Sequence, residues 1–297
     1  MIWFSIIRAK MDSKRLKEWY KLTKPGIIYG NLISCAAGYT IVAGNNFILS
    51  RFLLILLSTT FIIASACVLN NIVDRDIDLK MDRTKNRSLA VNSIEIKDAA
   101  TYAVILGTVG FSLISIYFSI ATIIVGIAGF LDYVVLYSYF KRRSVHSTLI
   151  GTISGSAAIV AGYTAYTDRF DLFATFLFIS MTAWQMPHFY AIAIYRKNEY
   201  LKAKIPLLSV VKGIRRTQYE SIAYTIVYSL SIFGLYYFGY INTFFFVVMS
   251  LISFAWIIFA VNGLSVENKI LWARKNFKYS LYILLIFSVL SYSKVFV

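Results

Sequence analysis

Along the chain, blocks of about twenty apolar residues alternate with shorter polar stretches, several of them densely charged. A bilayer core about 30 Å thick is crossed by roughly 20 apolar residues in a helix. The pattern therefore predicts nine transmembrane helices, centred near about residues 36, 62, 108, 128, 157, 183, 229, 252 and 287. With 59% hydrophobic and 15% charged residues, the chain has too little polar surface to cover a soluble protein of 297 residues. No Pro/Gly/Ser-rich linker interrupts the blocks, and the only prolines are Pro25, Pro187 and Pro206. The expected architecture is an all-α polytopic membrane protein: a cytoplasmic amino-terminal segment, 1–25, followed by one helical domain, 26–297.

The formal net charge of +16 becomes informative once it is mapped. Twenty-seven of the thirty Lys/Arg residues fall in the amino-terminal segment or in the loops after the second, fourth, sixth and eighth helices, leaving Arg51, Arg169 and Lys294 on the other side. Cytoplasmic loops concentrate Lys and Arg, which places the amino terminus inside and the carboxy terminus outside. The basic charge is thus a topology signal and gives no support to nucleic-acid binding. The start, MIWFSIIRAK, has its apolar residues before the basic cluster, the reverse of a cleavable signal, so none is expected. Cys35 and Cys67 lie inside predicted helices without metal-ligand spacing and read as packing residues.

The charged stretches predicted to face the cytoplasm are the longer ones, and long loops in compact proteins are more often functional. The first of them begins NNIVDRDIDLKMDRTKNR, Asn70 to Arg87. Asn70, Asp74 and Asp78 are four residues apart, so on a helix they form one stripe. Asp76 points elsewhere, and Asp82 joins only if the helix continues. A simple solvated helix end would explain the charges, but carboxylates at a helix carboxy terminus oppose the macrodipole. Stacked carboxylates tolerate one another when a hard cation joins them, and Mg²⁺ shared with substrate phosphates suits such oxygens. Arg83, Lys85 and Arg87 add donors for phosphate oxygens. Together they describe a diphosphate cradle.

NxxxDxxxD followed by RTKNR resembles the UbiA superfamily of intramembrane prenyltransferases. LTKPGIIYGNLIS (22–34), YSYFKRRSVHSTLIG (137–151), WQMPHFYAIAIYRKNEY (184–200), IPLLSVVKG (205–213) and WARKNF (272–277) resemble, in order, signatures of its protohaem IX farnesyltransferase family. The resemblance implies nine helices around a central cavity open to the cytoplasmic side of a bacterial inner membrane, and laterally to lipid. It implies transfer of the farnesyl group of farnesyl diphosphate to a vinyl group of haem B, with hydration, giving haem O. That product would serve haem–copper oxidases, making their assembly proteins or haem A synthesis proteins candidate partners. It further implies that Tyr137 and Lys141 bind the diphosphate and promote its departure, that Lys24, Asn31, Trp184 and Arg196 contact substrate, and that Glu199 joins Asn70, Asp74 and Asp78 in holding Mg²⁺. Two departures stand out. Ala158 and Ile159 replace a Pro-Pro pair, predicting a straighter fifth helix, and Glu199 stands where Asp is usual.

Read without the resemblance, Tyr137 and Lys141 could be an interfacial Tyr beside a snorkelling Lys. An ionisable group within a span is a functional hypothesis by default: His188 could ligate haem iron or hydrogen-bond the haem, or simply cap a carbonyl freed by Pro187. Asp132, in mid-helix, must find a partner or be protonated, while His146 reads as solvated. A prenyltransferase acting on a quinone precursor or chlorophyllide would share the carboxylates and YxxxK, but WQMPHFYAIAIYR and WARK favour haem. A transporter would need no carboxylate–arginine cluster, and a non-catalytic haem-handling protein could lose Asp74 and Asp78.

Overall fold

The computed structural model describes residues 13–293; the first part of the expected cytoplasmic segment, Lys294 and the extreme carboxy terminus lie outside the described residues. Helices account for all the regular structure, with no strand among the described residues. The short helix Ser13–Leu22 comes first, its Trp19 and Leu22 packed beside Ile28, Ala64, Val68 and Leu89. The long helices follow: α1 Pro25–Ala43, α2 Leu49–Val73, α3 Ile96–Tyr117, α4 Ile120–Leu131, α5 Ser147–Thr167, α6 Leu172–Tyr195, α7 Gly213–Tyr237, α8 Thr243–Asn262 and α9 Lys269–Ser293. α4 continues through a π-helical turn, Asp132–Tyr137, to Phe140.

Among the described residues, six helical stretches have the length and apolarity to cross a membrane: Pro25–Asn46, Leu49–Val73, Ile96–Tyr117, Ile120–Phe140, Ser147–Thr167 and Thr243–Asn262. α6, α7 and α9 are as long but carry strongly polar side chains. α6 carries Gln185 and His188, α7 begins with Arg215 and Arg216, and α9 with Arg274 and Lys275.

Between helices in lipid there is little hydrophobic drive, so close backbone approach through small residues does much of the work. α1 and α5 show it twice: a Cβ built on Gly38 would lie 1.9 Å from the Ile159 carbonyl oxygen, and one on Gly162 would lie 1.9 Å from that of Cys35. Ile159 is buried in this seam while Ala158 faces a cavity, and α5 runs unbroken past both. The cavity is walled mainly by α1, α2, α4, α5, α6 and α9, whereas α7 and α8 contribute no lining residue and pack behind. Cys35 and Cys67 are buried free thiols.

Candidate active site

At the end of α2 the backbone keeps its helical rhythm just long enough to build the carboxylate stripe. The Asp74 N–H donates to the Asn70 carbonyl at 2.9 Å and the Asp78 N–H to the Asp74 carbonyl at 2.8 Å, across the short turn Arg75–Asp78. All three side chains are buried and line the cavity. The chain then turns away, and the Thr84 hydroxyl donates to the Asp78 carbonyl at 2.9 Å. Asp82 therefore leaves the stripe and sits at the surface with Lys85 and Lys202. Asp76 also points out, gripped at both oxygens by Arg142 at 2.8 Å, which holds its carboxyl below the usual carboxylate range.

Cations from four elements converge on the stripe. Lys141, at the end of α4, donates to Asp74 Oδ2 at 2.5 Å. Arg87 reaches Asp78 Oδ2 at 2.8 Å and Oδ1 at 3.1 Å. Lys24 donates to Asn70 Oδ1 at 2.5 Å from a left-handed backbone, φ 52°, immediately before Pro25. That conformation is costly for a residue other than glycine, and here it directs a half-buried ammonium into the cavity mouth. The Asn70 amide nitrogen donates in turn to the Ser138 hydroxyl at 3.2 Å, which fixes the amide's orientation. Arg83 and Arg196 complete the cationic lining.

Burial in this crowd of charge pushes the Lys24 ammonium down to about 8, helped by the nearby Arg87 and Lys141 cations against the pull of Asp74. Burial also works to lower Lys141, but the Tyr137 and Asp74 groups beside it carry it above the ordinary lysine value. The two lysines therefore differ, one poised near neutrality and the other held charged.

The Lys141 N–H donates to the Tyr137 carbonyl at 2.8 Å, and the Lys141 ammonium lies 5.8 Å from the Tyr137 ring centre. That ring is stacked on Tyr133 at 5.7 Å and lies where a Cβ on Gly151 would come within 2.7 Å of it. The π-helical turn carries both tyrosines; such turns often mark functional sites. Beyond them the cavity, about 670 Å³, becomes apolar, with Ile62, Ile114, Val125, Phe130 and Leu284 in its lining.

Of the residues expected from the sequence, Lys24, Asn31, Asn70, Asp74, Asp78, Arg83, Arg87, Tyr137, Lys141, Trp184, His188 and Arg196 all line this one cavity. Lys85 and Glu199 are not among its lining residues. Lys85 is held outside by Asp82 at 3.0 Å, and Glu199 accepts from Arg196 at 3.2 Å. Asp132 takes the structural course: its Oδ2 accepts the Ser154 N–H of α5 at 3.0 Å. His146 is exposed at the start of α5. Residues that sequence reasoning passed over include Tyr133, stacked on Tyr137 of its own helix with the Lys24 ammonium 5.9 Å from its ring centre, and Ser138 and Ser280, each placed by a contact between distant helices.

The donor set suits a divalent ion shared with phosphate. Asp74 Oδ1 is buried without a hydrogen-bond partner, and the Arg142 guanidinium lies 3.9 Å from it. Among the described residues no three His, Cys, Asp or Glu groups converge to hold a metal alone. Phosphate oxygens would have to supply the remaining ligands, as Mg²⁺ prefers.

A family model described as the UbiA prenyltransferase family matches residues 31–282. The chain belongs to this family. It is 42% identical over 275 residues to a protoheme IX farnesyltransferase of Acinetobacter baumannii, covering 92% of this chain and 94% of that protein. It is 40% identical over 276 residues to protoheme IX farnesyltransferase 2 of Pseudomonas fluorescens, covering 93% and 94%. The fold is shared with solved structures: a digeranylgeranylglyceryl phosphate synthase superposes with a TM-score of 0.77 at 19% identity, over 94% of this chain and 99% of that one. An Archaeoglobus fulgidus UbiA homolog bound to GPP and Mg²⁺ superposes with a TM-score of 0.70 at 18% identity, over 93% and 99%.

Proposed function

We propose that this chain is a protohaem IX farnesyltransferase, transferring the farnesyl group of farnesyl diphosphate to a vinyl carbon of haem B, with water added, to give haem O. The observation that carries this reading is the continuity of one cavity from a carboxylate–cation mouth to an apolar chamber holding His188 and Trp184, in a chain about 40% identical to proteins of that name.

Departure of diphosphate breaks the allylic C–O bond and moves its electron pair onto a diphosphate oxygen. Lys141, Lys24, Arg83, Arg87 and Arg196 stand where that charge develops, and fixed cations there favour the transition state over the bound substrate. Bound Mg²⁺, held by Asp74 and Asp78 with Asn70 beside them, would supply Lewis-acid stabilisation of the leaving group. Ion pairs preset the cradle, since Lys141 already aligns Asp74 and Arg87 aligns Asp78. The stacked faces of Tyr133 and Tyr137 favour a positive charge on the allylic carbon. The apolar chamber takes the isoprenoid tail and keeps water from the cation until the vinyl group has reacted. Its volume suits a large ligand.

The same reading takes residues 26–297 as one domain of nine spans in the bacterial inner membrane, with the amino terminus inside, the carboxy terminus outside and the cavity mouth facing the cytoplasm. It gives the product to haem A synthesis or to haem–copper oxidase assembly. The cationic mouth supports that orientation, because it gathers Lys24, Arg83, Arg87, Lys141 and Arg196 from the cation-rich loops.

Purified protein supplied with Mg²⁺ and farnesyl diphosphate, and with haem B and an aromatic quinone precursor as competing acceptors, tests the activity. The expected product carries the mass of haem B plus a farnesyl and a hydroxyl group, the second proton of the water being released. A farnesylated quinone precursor formed in preference, with haem unchanged, would overturn the assignment.

A further inference from the structure

His188 and Trp184 are four residues apart on α6, and both are tied to a single residue of α9. The Trp184 indole N–H donates to the Ser280 carbonyl at 2.8 Å, and His188 Nδ1 lies 2.8 Å from the Ser280 hydroxyl oxygen. The Ser280 hydroxyl has one hydrogen, which goes to the Phe277 carbonyl at 2.7 Å. Its oxygen is therefore left to accept, so the proton of a neutral His188 ring belongs on Nδ1. The tautomer is assigned from the hydrogen-bond network: Nδ1 donates, and Nε2 keeps its lone pair. The histidine caps no helix carbonyl.

Packing fixes the ring as firmly as the hydrogen bond does. Trp184 stacks on it at 5.1 Å with 26° between the planes, and Phe277 lies 4.6 Å away. Both flanking residues and His188 line the cavity, and Ser280 is fully buried behind them. A histidine that donates one ring nitrogen to a buried oxygen, and keeps the other bare inside a chamber, has the arrangement typical of a metal-ligating imidazole.

We propose that His188 binds the iron of the haem substrate through Nε2, and that Ser280 is the positioning residue that sets its tautomer and angle. This rests on the haem reading above and adds the point at which the porphyrin is anchored. Coordination forms one Fe–N bond from the imidazole lone pair, with no proton lost, because the site is already in the competent tautomer.

The test compares haem B with iron-free protoporphyrin IX, titrated into the purified full-length protein in detergent without farnesyl diphosphate and followed by absorption spectroscopy. The wild-type protein should bind haem about tenfold or more tightly than the iron-free porphyrin, and its spectrum should be that of histidine-ligated iron. His188→Gly should bring the two affinities together, and added imidazole should restore the spectrum. Ser280→Ala should weaken haem binding by about tenfold, while leaving the iron-free porphyrin unaffected, with Ser280→Thr close to wild type. Equal wild-type affinity for both porphyrins, or an unchanged iron spectrum in His188→Gly, would overturn iron ligation and leave farnesyl transfer standing. Ser280→Ala with wild-type haem affinity and spectrum would remove the positioning role. Failure of the wild-type protein to bind either porphyrin would instead count against the haem reading itself.

Discussion

The Lys141 ammonium lies 2.5 Å from Asp74 Oδ2, joining the end of α4 to the end of α2, while Asp74 Oδ1 has no hydrogen-bond partner. One oxygen is held in place and the other is left for a ligand. Asp78 is held differently, with both oxygens taken by Arg87.

Asp74→Asn and Asp78→Asn keep the side-chain size and remove charge. Each should slow turnover by at least about a hundredfold, the scale of losing one strong transition-state contact. Steady-state rates at saturating Mg²⁺ measure this. Near-normal turnover in both variants would take the stripe out of the reaction.

Lys24 carries a pH expectation. Its ammonium is the binding form, and burial leaves it titrating near about 8 in the free protein. Affinity for an unreactive farnesyl thiodiphosphate should therefore fall as pH rises through that value, while Lys24→Arg, which keeps its charge, should show a flatter profile. Calorimetric or fluorescence titration across this range decides it; identical profiles in the two proteins would exclude Lys24 as the group responsible.

For Glu199 the contact with Arg196 at 3.2 Å supports a different emphasis from direct metal ligation. If Glu199 chiefly holds Arg196 toward the diphosphate, Glu199→Gln should raise KM for farnesyl diphosphate severalfold and leave the Mg²⁺ requirement unchanged. A steep rise in the Mg²⁺ concentration needed for activity would return Glu199 to the metal's own ligands.

The topology is open to a direct check. A reporter active only in the cytoplasm, fused after Val297, should be silent, and one active only outside should respond. Activity of the cytoplasmic reporter would refute the nine-span arrangement with its carboxy terminus outside.

The carboxylate stripe was legible in the sequence because a period of four needs only a helical backbone, and the turn after Val73 preserves that period through Asp78. Tyr137 and Lys141 were legible for the same reason. Arg83, Lys85 and Arg87 could not be sorted by spacing, because the segment beyond Asp78 is a series of turns. There, the local pair between Asp82 and Lys85 draws Lys85 to the surface, while Arg87 crosses to Asp78. Ser280 lay beyond sequence reasoning altogether. Its contact with His188 spans 92 residues, and a serine on a helix carries no periodic signal. The π-helical turn was equally hidden, since the apolar pattern of α4 continues through it.

The most direct measurement is the mass of the haem extracted from the membranes of cells that lack their own haem O synthase and express this chain. Haem O, heavier than haem B by a farnesyl group and a hydroxyl group, is expected in cells carrying the wild-type chain, and haem B alone in cells carrying Asp74→Asn. Haem B alone in the wild-type cells, with the protein present and folded in the membrane, would contradict it.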